Sequence, residues 1–466
     1  MIRRKTSAEN GGCDAAAATI TRGDEGVAEP RCQSTSNHLL KDFRRVREHS
    51  RLLCETLEPE DCVLQSMPDA SPIRWHLAHT SWFFETFVLN RDPGYQVFDQ
   101  CYPKLFNSYY NGAGKPFPRH QRGLLSRPTV AQVWQYRRHV DDQIERRFDR
   151  FGPDELQLIE TGLHHEQQHQ ELMLTDLKHA FSINPMHPVY RSPNETSPLV
   201  TKQSELVSKR DDWISFDEHI VHIGSDGGSF SFDNEHPRHR RLVHAFDIAS
   251  DLVTCGQYIE FINDGGYHNP DYWLSAGWNR IHQVDDPWTA PLYWTRTDDD
   301  WFHYTLTGFR PVELDRPITH LSYFEADAFA RWRGCRLPTE VEWEHAAASH
   351  AADAYVRDRD RAIDECLHPT SVGDGAMRNL VGSVWQWTSS AYDAYPGYRV
   401  PDGVIGEYNG KFMCGQFVLR GGSCATPPGH ARMTYRNFFS PDARWQFSGL
   451  RLARDNNGDA NATESR

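Results

Sequence analysis

Two histidines four residues apart, His165 and His169, lie in the segment LIETGLHHEQQHQELMLTDLKHAFS, residues 158–182. The segment has strong helix formers throughout and no internal proline, so it is expected to be helical. An α-helix turns about 100° per residue, which stacks positions four apart and sends both imidazoles from one face. That is chelate spacing for any ion that accepts imidazole. Gln168 borders the same face, Glu171 lies one turn beyond it as an outer support, and His164 points about 100° away from His165 as a bystander.

Two ligands do not close a site, so a third must come from another element. The segment IRWHLAHTSWFFETFVLN, after Pro72, offers His76 and His79. His79 shares a face with Trp75, Trp82, Phe83 and Thr86 at helical spacing, the side that should face a helical interior. A lone histidine on such a face is ordinarily a hydrogen-bonded core residue. Opposite His165 and His169 it completes a three-imidazole set with open coordination positions. By chemistry alone such a set suits zinc at least as well as iron, whose usual non-haem ligands are two histidines and a carboxylate.

The elements that must position these residues are helices. Residues 1–35 lack periodicity and are expected to be disordered. From Ser36 or Asn37, NHLLKDFRRVREHSRLLCETL has helical spacing, and Thr129 is placed to cap VAQVWQYRRHVDDQIERRFDRF. With the two histidine-bearing segments these make a four-helix bundle over residues 36–190, in which sites form between facing helices. A loop of some 35 residues carrying FNSYYNGAGKPFPRHQRGLLSRP interrupts it, longer than a connector needs. Residues 191–212 read as a linker. From residue 213 to 455 short strand-like pieces alternate with Gly and Asn turns, with two clear helical pieces at TCGQYIEFIN and SYFEADAFARWR, followed by a polar tail over 456–466.

Composition narrows the partners. The chain has 466 residues and a formal net charge of −14 with no long basic run, which argues against nucleic acid and anionic membranes. Its mean hydropathy is −0.68, and no apolar run approaches the roughly 20 residues that span a bilayer. MIRRK is not followed by the apolar core of a secretory signal. The ten cysteines show no CxxC pair and no framework spacing, as expected of reduced thiols in a cytoplasmic protein.

WHLAHTSWFFE (75–85) and HHEQQHQE (164–171) resemble the DinB-like domain of the ergothioneine-biosynthesis sulfoxide synthases, whose motif is HxxxHxE. GCRLPTEVEWEHAA (334–347), NLVGSVWQWTSS (379–390), LRGGSCA (419–425) and TYRNFFSPDARWQFSGLRLAR (434–454) resemble the formylglycine-generating-enzyme, or sulfatase-modifying-factor, domain fused to it in that family. The resemblance implies an α+β multidomain protein: a DinB-like four-helix bundle followed by a C-terminal domain of C-type-lectin-like fold. It implies a mononuclear iron(II) enzyme that joins hercynine (Nα-trimethylhistidine) to a thiol with dioxygen as co-substrate, forming a C–S bond and a sulfoxide. Carried over by position, His79, His165 and His169 hold the iron, while Gln168 and Asn437 bind hercynine. Phe438, Phe439 and Trp445 near Asn437 could face the quaternary ammonium group, or could simply pack the core.

One departure bears on the thiol. The better-known branch has an aspartate two residues after that asparagine and an arginine further downstream, whereas Phe438 and Phe439 follow Asn437 here. The loop NSYYNG is similar to a second branch, in which tyrosines of the helical domain, here Tyr109 and Tyr110, serve the site. They form a YY pair in a loop too long for a connector, and one of them is expected to supply a proton or a proton relay. Arg119 and Arg122 in the same loop could clamp the carboxylate of cysteine or γ-glutamylcysteine. Rival readings fit less of the chain. A formylglycine-generating oxidase needs a second cysteine shortly after Cys424, and none follows. An ovothiol-pathway synthase usually carries a methyltransferase domain, for which nothing after residue 455 suffices. A zinc-dependent thiol transferase, or a lectin-like binding module, leaves one half of the chain unexplained.

Overall fold

The computed structural model describes residues 30–192, 212–350, 367–370, 376–402, 406 and 408–456, with side chains from residue 37 onward. Of the linker over 191–212 only its ends are described, and of the tail over 456–466 only its first residue; residues 193–211, 457–466 and the first 29 lie outside the described residues.

The first half is a bundle of α1 (Pro30–Leu53), α2 (Ile73–Phe87), a single turn α3 (Tyr102–Leu105), α4 (Val130–Arg147) and α5 (Pro153–Ile183). Helix α1 starts at Pro30, inside the segment expected to be disordered. A proline at a first helical position fits there, because its missing N–H has no helical partner to lose. Thr129 caps α4 as expected, accepting from the Gln132 N–H while Gln132 reaches back to the Thr129 N–H. Helix α2 is central, packing on both α4 and α5, and all but one of its residues are buried.

A charged network ties α1, α4 and α5 together behind the histidines. The Glu166 carboxylate receives the Arg47 guanidinium at 2.8 Å, Arg137 at 2.7 Å and the Ser50 hydroxyl at 2.6 Å. Burial opposes ionisation of Glu166, but the Arg137 and Arg47 charges overcome it and hold the carboxyl at about 2. Glu166 therefore stays charged, and it orients α5 by bonds that point away from His165 and His169.

The second half begins with β1 (Trp213–Phe216), β2 (His219–Ile223), β3 (His239–Val243) and β4 (Phe246–Ala249). Helices α6 (Cys255–Asn263) and α7 (Ser275–Ile281) follow, then a meander of β5 (Trp294–Thr297), β6 (Asp300–Thr305) and β7 (Gly308–Pro311). After α8 (Tyr323–Trp332) and α9 (Glu340–Ser349) come β8 (Trp385–Ala391), β9 (Phe417–Arg420), β10 (Asn437–Phe439), β11 (Ser448–Gly449) and β12 (Ala453–Asp455). The sheet nearest the site has the order β10-β9-β8-β11, with Asn437 opposite Leu419 and Phe438 opposite Val418. Strand β12 returns to pair with β4 and closes the domain.

Two helical pieces were expected here, and the structure adds α7 and α9. Helix α9 carries a capping box at Thr339 and Glu342, a signal present in TEVE, but its apolar residues do not gather on one stripe because it is buried on nearly all sides. Among the described residues no helix is long and apolar enough to cross a membrane, and the described cysteines are free thiols.

Candidate metal centre

His79 projects from α2, and His165 and His169 from α5, with one ring nitrogen of each within 4.8 Å of the others. His79 and His165 are buried, and His169 is partly exposed. Burial, reinforced by the neighbouring rings, pushes His79 and His169 below the usual imidazole range, and burial takes His165 down to about 3. The rings are therefore neutral, the form that binds a metal.

Hydrogen bonds decide which nitrogens face inward. His79 Nδ1 donates to the Phe106 carbonyl at 2.6 Å, which leaves its Nε2 as a lone pair. That Nε2 lies 3.2 Å from His165 Nε2, close to the separation of two nitrogens each about 2.1 Å from one ion. His165 Nδ1 is buried with no partner among the described residues, and its Nε2 is the nitrogen that faces His79. His169 Nδ1 is 2.8 Å from His76 Nδ1, and His76 Nε2 is 3.0 Å from Asp176 Oδ2. The donor set fits a divalent cation that accepts imidazole. Trp75 stacks on His79 at 4.5 Å between centroids and Trp82 stacks at 5.4 Å, so the His79 ring is clamped in plane.

The opposite side of α5 belongs to the second domain. Gln168 Nε2 donates to the Tyr435 hydroxyl at 2.6 Å, and the Tyr408 hydroxyl donates to Gln168 Oε1. The Tyr408 ring meets the His165 ring edge-on at 5.7 Å and stacks on Phe232 at 5.3 Å. Glu171 accepts from Trp385 Nε1 at 2.8 Å, from Thr426 Oγ1 at 2.7 Å and from the Ser423 hydroxyl. All three donors lie in the second domain, so Glu171 joins the domains rather than bracing a ligand histidine. His164, expected to be a bystander, stacks on Phe230 at 3.8 Å and lies 3.0 Å from His430.

The tyrosine loop spans both halves. Tyr110 is buried against Trp82 and Phe87 at 5.6 and 5.3 Å and stacks on Tyr109 at 4.7 Å. Tyr109 faces the second domain, with Phe412 at 5.3 Å and Tyr408 at 6.5 Å, and its carbonyl accepts from Lys411 at 2.5 Å. Phe438 stacks on Tyr392 at 3.9 Å and meets Phe412 at 6.0 Å, so an aromatic row runs from Phe438 through Phe412, Tyr109 and Tyr408 to His165. Asn437 is half-buried at the start of β10, and its Oδ1 accepts the Phe438 N–H at 2.9 Å. Phe439 and Trp445 lie edge to face at 6.0 Å, half-buried, with no ring contact to the histidines among those described. Arg119 and Arg122 occupy different surroundings. Arg119 is exposed, 3.8 Å from Asp69, whereas the Arg122 guanidinium is buried over the Trp75 ring at 3.3 Å and donates to Ser71 Oγ at 2.8 Å.

Spacing brought out the three ligating candidates and Gln168. It missed Tyr408 and Tyr435, which sit in turns where no period assigns a face. Asp176 had a usable signal, since it lies seven residues after His169 and so two turns further along one helix face.

Residues 42–174 match the DinB superfamily, and residues 216–374 and 367–456 match the sulfatase-modifying factor enzyme 1-like domain. Fold and site together define a two-domain enzyme, a DinB-like bundle carrying a three-histidine cluster covered by a formylglycine-generating-enzyme-like domain. The hercynine oxygenase of Mycobacterium tuberculosis is 31% identical over 448 residues, 88% of this chain and 97% of that protein. That of Mycolicibacterium thermoresistibile is 29% identical over 465 residues, 92% of this chain and 96% of the other. Ergothioneine biosynthesis protein 1 of Schizosaccharomyces pombe is 27% identical over 234 residues, 48% of this chain and 28% of its own length. The chain belongs to the hercynine oxygenase family. It is an oxygenase.

Proposed function

We propose that this chain is an iron(II)-dependent sulfoxide synthase of ergothioneine biosynthesis, joining hercynine to cysteine or γ-glutamylcysteine. The overall change balances: a hercynine C–H, a thiol S–H and one O2 become a C–S(=O) linkage and one water. Forming the C–S bond removes two electrons and oxidising the sulfur removes two more, which together reduce O2 by four.

The observation that carries this reading is the meeting of three neutral imidazoles, His79, His165 and His169, with the domain-bridging amide of Gln168 on the same helix. Iron(II) held by these histidines supplies the dioxygen chemistry that side chains lack. Gln168 and Asn437 are the amides for the hercynine imidazole and its ammonio-acid end. The row containing Phe438, Phe412 and Tyr109 offers ring faces to a trimethylammonium group, with Phe439 and Trp445 beyond it. Arg122, with Arg119 at the rim, is the candidate for the thiol substrate's carboxylate.

Tyr109 and Tyr110 are the candidate proton donors, with Tyr408 a third phenol beside His165. Burial raises the Tyr408 phenol well above its ordinary range, so it keeps its proton at neutral pH. The deciding experiment incubates the iron-loaded protein aerobically with hercynine and each thiol, and reads the products by mass. A hercynyl sulfoxide with one thiol is the expected result; no coupled product with either overturns the reading.

A further inference from the structure

The three imidazoles are held in three different ways, and one of them involves a second pair of side chains that no part of the proposed reaction uses. His79 is fixed by a backbone carbonyl and His165 Nδ1 has no partner among the described residues, but His169 ends a chain of side chains. We infer that Asp176 and His76 form a positioning relay that holds His169 in the tautomer whose Nε2 lone pair points at the metal. This rests on the reading of the three histidines as metal ligands.

With His76 and His169 both in the neutral form, donor and acceptor rules order every link. The Asp176 carboxylate can only accept, and its Oδ2 already takes the Ser71 N–H at 2.8 Å. His76 Nε2, 3.0 Å from the same oxygen, therefore carries the hydrogen. In a neutral imidazole the other nitrogen is then a lone pair, so His76 Nδ1 accepts across 2.8 Å from His169 Nδ1. His169 Nδ1 thus bears the hydrogen, and its Nε2 is left bare toward His79 and His165. Carboxylate-to-imidazole chains of this kind orient a ligating ring and raise its basicity.

The relay is itself braced. Arg122 donates to Ser71 Oγ, one residue before the proline that opens α2, and lies over Trp75, whose ring stacks on His79. His76 and Asp176 are each about nineteen-twentieths buried or more, so water does not supply the missing acceptor freely. Asp176 makes both of its bonds through Oδ2, its Oδ1 having no partner among the described residues, so losing the His76 link would leave a buried group poorly satisfied.

Cobalt(II) is the probe, because its visible absorption reports the ligand field independently of turnover. Three full-length variants are compared with the wild-type chain: His76→Asn, His76→Leu and Asp176→Asn. An asparagine oxygen can stand near the place of His76 Nδ1 and still accept from His169; leucine fills the space and accepts nothing. Chelator competition is expected to give His76→Leu a cobalt affinity about 10- to 100-fold weaker, with a shifted absorption band. His76→Asn should recover at least fivefold of that loss and the wild-type band, and Asp176→Asn should weaken binding about threefold or more.

Thermal unfolding of the metal-free proteins shows whether each variant folds. If His76→Leu does not fold, the comparison of Asp176→Asn with wild type decides, and unchanged affinity and spectrum there overturn the relay. Equal affinities for His76→Asn and His76→Leu also overturn it, reducing His76 to packing. A wild-type chain that binds no cobalt at the three histidines overturns the metal reading itself, and the relay with it.

Discussion

At the scale of single residues, the proposed reaction predicts that the choice between coupling and plain oxidation turns on a proton. A thiol oxidised without capturing hercynine leaves as a sulfinic acid, and the branch taken should depend on how promptly a hydroxyl delivers its hydrogen. Tyr109 and Tyr110 stack on one another where α2 meets the second domain. Replacing both with phenylalanine keeps these ring contacts and removes the hydroxyls. The double substitution is expected to retain the metal and to shift product from hercynyl sulfoxide toward cysteine sulfinic acid, read as a mass ratio. An unchanged ratio at an unchanged rate makes the pair structural. The histidines were legible in the sequence because helical period fixes which positions share a face. Tyr408 was not, since it lies in a non-periodic stretch that folding brings from 240 residues away onto Gln168.

At the scale of elements, α5 must lie close against α2, and Gly162 lets it. A Cβ there would stand 2.5 Å from Phe84 Cε1 and 3.0 Å from Phe83 Cδ1. Alanine should gain up to about 1 kcal/mol in helix propensity but lose about 1–3 kcal/mol to overpacking. The expected net loss, up to about 3 kcal/mol, is measurable by denaturant unfolding. Because Phe83 packs on His165 at 4.9 Å, metal affinity should fall with it. Further along the helix, Lys178 is buried against His320 Nε2 at 2.6 Å, and burial pushes its amine from 10.5 down to about 7. Between pH 7 and 10.5 the unfolded chain then holds a proton that the folded chain has released, so stability rises with pH across that window. The full span is on the order of 4–5 kcal/mol. Lys178→Met should flatten the rise in melting temperature between pH 7 and 9.5; an equal slope in the variant would show that another group controls it. Periodicity and Thr129 made the bundle helices readable, whereas α9, enclosed on nearly every side, offered no stripe to read.

At the scale of the whole molecule, the candidate metal ligands and their hydrogen-bond partners lie in one domain, while the proposed substrate groups come from both. His79, His165, His169, the Phe106 carbonyl, His76 and Asp176 all belong to the bundle. Tyr408, Tyr435 and Trp385 belong to the second domain and meet the face of α5 that carries Gln168 and Glu171, while Asn437 and Phe438 lie on β10 of the same domain. The order of the two domains could be read from their motifs; that Glu171 fastens one to the other could not, because its donors come from a strand and a turn more than 200 residues away in sequence. Expressing residues 36–190 alone separates the two functions. The hydrogen-bond partners that orient His79 and His169 stay in that fragment, so it should bind cobalt within about tenfold of the full chain if the bundle keeps its packing. It should couple no hercynine to either thiol, since the phenols and amide of the second domain are missing and the face of α5 they covered is open to water. Circular dichroism of the fragment confirms that helices persist, and product mass reads the chemistry. Turnover equal to the full chain would place the whole reaction within the bundle and leave the second domain without a part in it.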